Sequence, residues 1–160
     1  MIATLLVLLA LTLQPAALYG PGWELAIQPQ ACPMCVTADA EAASLFLRPW
    51  NEAGAVGLLA HNYLAGSRFA ALEAGDSLHL DYPGRRVYYE VAAVHAYRGR
   101  GELMGPGGGH YSEAQIYERE YLPGALTLQT CIGDRQGFLF VQARPVIPAR
   151  VSVTEQVRAE

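Results

Sequence analysis

Basic side chains are scarce in this chain, and that sets a first limit on its function. Its 160 residues carry 11 Lys and Arg against 15 Asp and Glu, a net charge of −4. A surface that tracks a phosphate backbone needs the opposite balance, so no nucleic-acid partner is expected. Cysteine is scarce too: Cys32, Cys35 and Cys131 are the whole complement. No paired carboxylates and no metal-ligand spacing stand out, so neither a metal nor a cofactor is expected. There is no internal repeat and no sign of a second folded domain. The glycine-rich stretch 105–109 lacks the Gly-Lys-Ser/Thr ending of a phosphate loop and reads as a flexible loop, with a lid over the active cleft as the lesser alternative.

Charge is missing altogether from the first 23 residues. Within them, residues 2–13 form an almost unbroken apolar run that Gln14 and Pro15 end. A secretory apolar region is about 7–15 residues long, and this run fits. It lacks a basic residue after Met1, and it falls short of the roughly 20 residues of a spanning helix. Residues 1–22 therefore read as a signal peptide or an N-terminal membrane anchor, with a buried helix as the lesser alternative. The first two readings put the folded part outside the cytoplasm, secreted or held at the membrane.

What is present in quantity is apolar surface: 52% of residues are hydrophobic. That is enough for one core without metal or disulfide staples. Residues 23–145 read as one domain and 146–160 as a polar, proline-broken C-terminal tail. The patterning is mostly that of strands. Residues 23–27 form a short first strand. Residues 76–82 alternate, with Leu78, Leu80 and Tyr82 on one face and Ser77, His79 and Asp81 on the other. Pro83-Gly84 turns the chain into a long Val- and Tyr-rich strand, 86–97. Further strands are expected at 55–61, 126–130 and 138–143. Helical turns are expected at 39–47, with Asp39 as N-cap, and at 112–120. Residues 99–109 read as loop. Frequent strands with few helices indicate an all-β sandwich or barrel.

An odd number of cysteines in an exported protein leaves one thiol unpaired. Cys32 and Cys35 can close on each other through Pro33 and Met34, which leaves Cys131. A redox pair or half a metal site are the other readings of Cys32 and Cys35. Cys131 ends a strand whose apolar positions are Leu126 and Leu128. A thiol there is either an inert core residue or a rigidly held nucleophile. A nucleophile calls for an imidazole that favours the thiolate and later protonates a leaving amine. Of four histidines, His79 reads as a solvated strand residue, His95 as a satisfied core side chain and His110 as a surface loop residue. His61 differs, because it ends an apolar strand just before a turn.

These residues together carry a family resemblance. Ala60-His61-Asn62-Tyr63-Leu64-Ala65-Gly66, then Phe69, Leu72, Gly75-Asp76 and Tyr89-Glu90-Val91, resemble the sortase pattern. Leu126-Thr127-Leu128-Gln129-Thr130-Cys131 is similar to the sortase Thr-Leu-x-Thr-Cys strand, and the order of His and Cys matches. The resemblance spans residues 55–143. It implies a closed, sortase-type β-barrel of about eight strands with short helices and loops. It implies a cysteine transpeptidase, with Cys131 as nucleophile and His61 as acid–base. Its partners would be the peptide sorting signal of a surface protein and an amine acceptor. The family's third residue is an Arg on the strand after the Cys, suited to holding substrate and oxyanion. Here Phe138 stands at that position, and Arg135, in the preceding turn, is the substitute.

Other cysteine enzymes fit less well. The caspase Gln-Ala-Cys-x-Gly is similar to residues 129–133 but belongs to a larger α/β domain. Papain-like enzymes place Cys before His. L,D-transpeptidases need Ser-His-Gly-Cys, where this chain has Gln129-Thr130 before the thiol. Two alternatives of another class remain. One is a non-catalytic sortase-fold protein that binds a surface peptide or acts as a scaffold. The other is an exported thiol–disulfide protein working through Cys32 and Cys35.

Overall fold

The computed structural model describes residues 14–33, 35–49, 54–134 and 136–147. Ten strands form one sheet: β1 (Ala17–Gly20), β2 (Trp23–Pro29), β3 (Ala42–Leu45), β4 (Val56–Leu59), β5 (Ser77–Tyr82), β6 (Arg85–Arg98), β7 (Leu103–Met104), β8 (His110–Tyr111), β9 (Leu126–Cys131) and β10 (Gly137–Val146). Their order is β10-β9-β4-β3-β2-β1-β5-β6-β7-β8, and β10 also pairs with β6. That last pairing closes eight strands into a barrel and leaves β7 and β8 as a short extension. Closure removes free edges that would otherwise recruit other chains. The barrel is mixed. β2 and β3 run parallel, as do β4 and β9, and the other barrel pairs are antiparallel.

The hairpin β5–β6 follows from its alternation. Leu78, Leu80 and Tyr82 are buried, while Ser77 is exposed and His79 and Asp81 are half-buried. Gly84 turns the corner at φ 78°, a left-handed conformation that glycine adopts without a side-chain clash. Among the helices of the described residues are α1 (Gly66–Ala70) and α2 (Glu113–Glu120). Ser112 and Gln115 form a capping box that satisfies the first turn of α2, the helix expected over 112–120. Among the described residues no helix is long and apolar enough to cross a membrane.

There are two hydrophobic cores. The larger fills the barrel with Leu18, Leu25, Leu58, Leu80, Leu128, Val141 and their neighbours. The second lies outside the barrel wall, where Phe46, Leu59, Tyr97, Ile116, Tyr121 and Phe140 pack together beneath α2. Each buried aliphatic or aromatic side chain contributes roughly 1.5–3 kcal/mol, so the second core is what holds α2 in place.

Three expectations need correction. Residues 39–46 do not form a helix: Ala42–Leu45 is strand β3, with all four residues buried, and helical structure begins only at Leu47. A strand covered on both faces has no alternation to reveal it, and its alanines suit a helix equally well. Asp39 accepts a hydrogen bond from the backbone N–H of Glu41 at 2.8 Å, a local turn and not a helix cap. The barrel also begins earlier than Trp23. Ala17–Gly20, read as part of the export segment, pair with both β2 and β5, and Leu18 is fully buried. The rest of that segment, 1–13, lies outside the described residues, as does 148–160 of the tail. Finally, the 99–109 loop contains β7 and a 3-10 turn at Pro106–Gly108.

Candidate active site

Cys131 is the last residue of β9, and it is half-buried. β9 is held on both sides, by β10 and by β4. Leu126 and Leu128 point into the barrel core, so Thr127, Gln129 and Cys131 face the outer side. β4 runs parallel to β9, with Leu59 beside Gln129. Ala60 continues that pairing by donating its N–H to the Gln129 carbonyl at 3.2 Å. His61 follows Ala60 two residues beyond the end of β4, and Cys131 follows Thr130 at the end of β9.

Two long-range hydrogen bonds bracket this pair. Thr130 Oγ1 donates to the carbonyl of Ala60 at 2.8 Å. Asn62 Nδ2 donates to the carbonyl of Gly133 at 3.0 Å. The residues before and after His61 are thus tied to the segments before and after Cys131. Beyond His61 the chain turns at once, and the His61 carbonyl accepts from Leu64 and Gly66. α1 follows and packs against β9. Gly66 permits the approach: a Cβ there would lie 2.2 Å from Thr130 Oγ1 and 2.7 Å from the His61 carbonyl. The His61 ring stacks on Tyr63 at 5.2 Å between centroids, and Tyr63 is 72% exposed. Thr130, Asn62, Gly66 and Tyr63 were not singled out by role in the sequence. Their partners lie up to 71 residues away, which local pattern cannot reveal.

Directly across from Cys131 on β10 stands Phe138, and across from Phe138 on β6 stands Tyr97. The structure therefore puts an apolar ring at the strand position opposite the thiol. Arg135, the expected cation, lies outside the described residues. Behind the pair, the outer face is floored by buried aromatic rings. Tyr121 donates its hydroxyl to Gln129 Oε1. Burial pushes the Tyr121 hydroxyl well above its ordinary range. Burial, then the hydrogen bond to Glu120, pushes Tyr97 up to about 12. These phenols stay neutral at physiological pH and act as packing and donor groups.

The other sequence candidates separate cleanly. Cys32 and Cys35 are joined in a disulfide in the β2–β3 connection, leaving Cys131 as the free thiol. No helix begins there, so the setting is not that of a redox motif. His95 is satisfied as expected, its Nδ1 lying 2.9 Å from the Oε1 of the buried Glu120. His110 is exposed at the start of β8. His79 is less solvated than its strand position suggests: its ring stacks on Tyr19 at 4.4 Å, and Nε2 is buried without a partner. Among the described residues no group of three or more His, Cys, Asp or Glu could hold a metal ion. Two surface cavities, of about 480 and 410 Å³, lie against α1 and against α2; neither is lined by Cys131 or His61.

No protein-family model matches the chain, and no curated protein matches it. Solved structures do. It is similar to sortase A from Corynebacterium diphtheriae, at 16% identity and a TM-score of 0.60, over 86% of this chain and 62% of that one. It is similar to sortase C-1 from Actinomyces oris, at 17% identity and 0.59, over 84% and 75%. It is similar to sortase C1 from Streptococcus suis, at 15% identity and 0.58, over 92% and 81%. At these identities the likeness shows the fold, and the fold is that of the sortases.

Proposed function

With the sortase fold as frame, we propose that this chain is an extracytoplasmic cysteine transpeptidase. Its substrate is a peptide sorting signal, and its acceptor is an amine. The observation that carries the reading is a pair of long-range hydrogen bonds, Thr130 to Ala60 and Asn62 to Gly133, which tie the chain around His61 to the chain around Cys131. An inert core thiol has no need of that arrangement.

The chemistry runs in two halves. The Cys131 thiolate attacks the carbonyl carbon of the scissile amide, forming a C–S bond and a tetrahedral oxyanion. Collapse breaks the C–N bond, and His61 gives its proton to the departing amine. The thioacyl intermediate is then attacked by the acceptor amine, whose proton goes to His61. The C–S bond breaks and the thiolate is restored. Arg135 is assigned the cationic role toward substrate and oxyanion, from the turn that follows β9.

One observation favours a second reading. Phe138 holds the β10 position opposite the thiol, where a fixed cation would serve best. A non-catalytic sortase-fold protein that binds a surface peptide would tolerate that ring. Mass spectrometry separates the two. The full chain, in detergent, is incubated with a peptide library and its cysteines are mapped. A covalent acyl adduct on Cys131, absent in Cys131→Ala and lost in His61→Ala, is the expected result. Peptide binding with no adduct from any library member would select the binding protein.

A further inference from the structure

Both ends of the described barrel converge on one rim. Ala16 donates its N–H to the Asp81 carbonyl at 2.7 Å, just before β1 begins. At the other terminus, Val146 pairs with Tyr88. Asp81 and Tyr88 flank the Pro83-Gly84 turn between β5 and β6. Only Gln14 and Pro15 separate Ala16 from the apolar run 2–13. The described chain therefore meets that run at the Pro83-Gly84 rim.

The side chains on this rim are of a particular kind. Arg85 and Arg86 stand exposed at the turn. The Arg85 guanidinium lies 4.5 Å from the Tyr82 ring centroid, and Arg86 lies 5.7 Å from that of Tyr19. Asp81 is paired with Arg86 at 2.5 and 2.8 Å, which leaves Arg85 as the outlying charge. A cross-strand row runs Tyr19, His79, Tyr88, Val146 in register. Its end is apolar and exposed: Tyr88 is 36% exposed, Val146 41% and Ile147 95%. An exposed tyrosine, an arginine with no acidic partner in an ion pair and bare aliphatic side chains are the mixture that suits the headgroup layer of a bilayer. No helix of the described residues packs over this row, whereas the wall near Cys131 is covered by α2.

We propose that this rim is a membrane-docking surface, which rests the barrel on an anionic phospholipid leaflet beside the retained 2–13 anchor. Arg85 meets lipid phosphate, and Tyr88, Val146 and Ile147 enter the headgroup layer. The consequence is orientation. Arg85 and Tyr97 stand twelve positions apart on β6, and Tyr97 is in register with Phe138 and Cys131. At about 3.3 Å per residue and a barrel tilt near 40°, the site stands roughly 30 Å above the rim. Cys131 thus faces away from the lipid, toward incoming polypeptide. This inference does not depend on catalysis, and a silent thiol would leave it intact.

The test uses the full chain carrying Cys131→Ala, reconstituted into vesicles of phosphatidylcholine with phosphatidylglycerol. A fluorophore is placed at Pro83→Cys or, separately, at Asp134→Cys, and nitroxide headgroup lipid is the quencher. The expected result is strong quenching at position 83 and little at 134. Adding Arg85→Glu should weaken docking by roughly fivefold, as should omitting phosphatidylglycerol. Equal quenching at the two positions, or none at position 83 in vesicle-bound protein, overturns the proposal. So does a chain that does not sediment with vesicles at all, since its anchor would then not be retained in the bilayer.

Discussion

The Nε2 atom of His79 is buried without a hydrogen-bond partner, an arrangement that tolerates a neutral ring and resists a charged one. Burial lowers its pKa, and the nearby Arg86 guanidinium lowers it further, while Asp81 opposes both. The sign of the linkage follows. A depressed pKa contributes stability that is present above the ordinary value of about 6.5 and is lost as pH falls through the lower folded value. His79→Phe keeps the stack on Tyr19 and removes the titration. Its urea midpoint should therefore fall less than that of the parent between pH 7 and the acid limb, as about the slope of one proton predicts. An unchanged pH slope in the variant would count against a role for His79. The strand alternation correctly puts His79 opposite Leu78 and Leu80, but it could not show that Tyr19 covers the ring. The same holds at the site. The positions of Cys131 at the end of a strand and of Phe138 across from it were legible from motif and spacing. The bonds Thr130–Ala60 and Asn62–Gly133 were not, because each joins segments about seventy positions apart.

Elements that resemble each other in composition were the hard ones to read. β3 is a strand because β2 and β4 pair with it on either side, and nothing inside Ala42–Leu45 requires that conformation. β1 was absorbed into the N-terminal segment for a similar reason: Gln14 and Pro15 end the apolar run, but no charged residue comes before Glu24 to mark the start of the folded domain. The hairpin β5–β6 and the helix α2 were legible, since alternation, Pro83-Gly84 and the Ser112–Gln115 cap are local signals. The position of β1 has a consequence for the chain's minimal folding unit. Leu18 is fully buried and faces Leu25 on β2 and Leu80 on β5. A chain that starts at Trp23 loses the strand between β2 and β5 and opens the barrel. It also exposes two sheet edges. A chain that starts at Gln14 keeps it. The first should be expanded or aggregated by size exclusion, with weak strand circular dichroism, and the second monomeric and cooperatively folding. A cooperative, monomeric Trp23 start would show that β1 is dispensable.

At the scale of the whole molecule, the ionisation of tyrosine reports on both cores at once. Nine tyrosines are present, and they divide by location. Tyr97, Tyr117 and Tyr121 belong to the second core under α2, while Tyr82 and Tyr89 belong to the barrel interior. In all five, burial is the leading cause of a raised pKa, and for Tyr97 the value reaches about 12. Tyr63 lies well exposed beside His61. A raised phenol pKa means that the folded state holds the neutral form. Its stabilising contribution is complete below the ordinary value near 10 and is lost as pH rises through the folded value. Tyrosinate absorbance from these five should therefore rise only above pH 10, together with loss of circular dichroism, because five phenols cannot ionise inside two intact cores. In strong denaturant the same absorbance should develop near pH 10. A single reversible phase in the native protein, with all nine phenols titrating while the strand signal persists, would mean that α2 does not seal the outer core. The wall behind Cys131 would then be open to solvent.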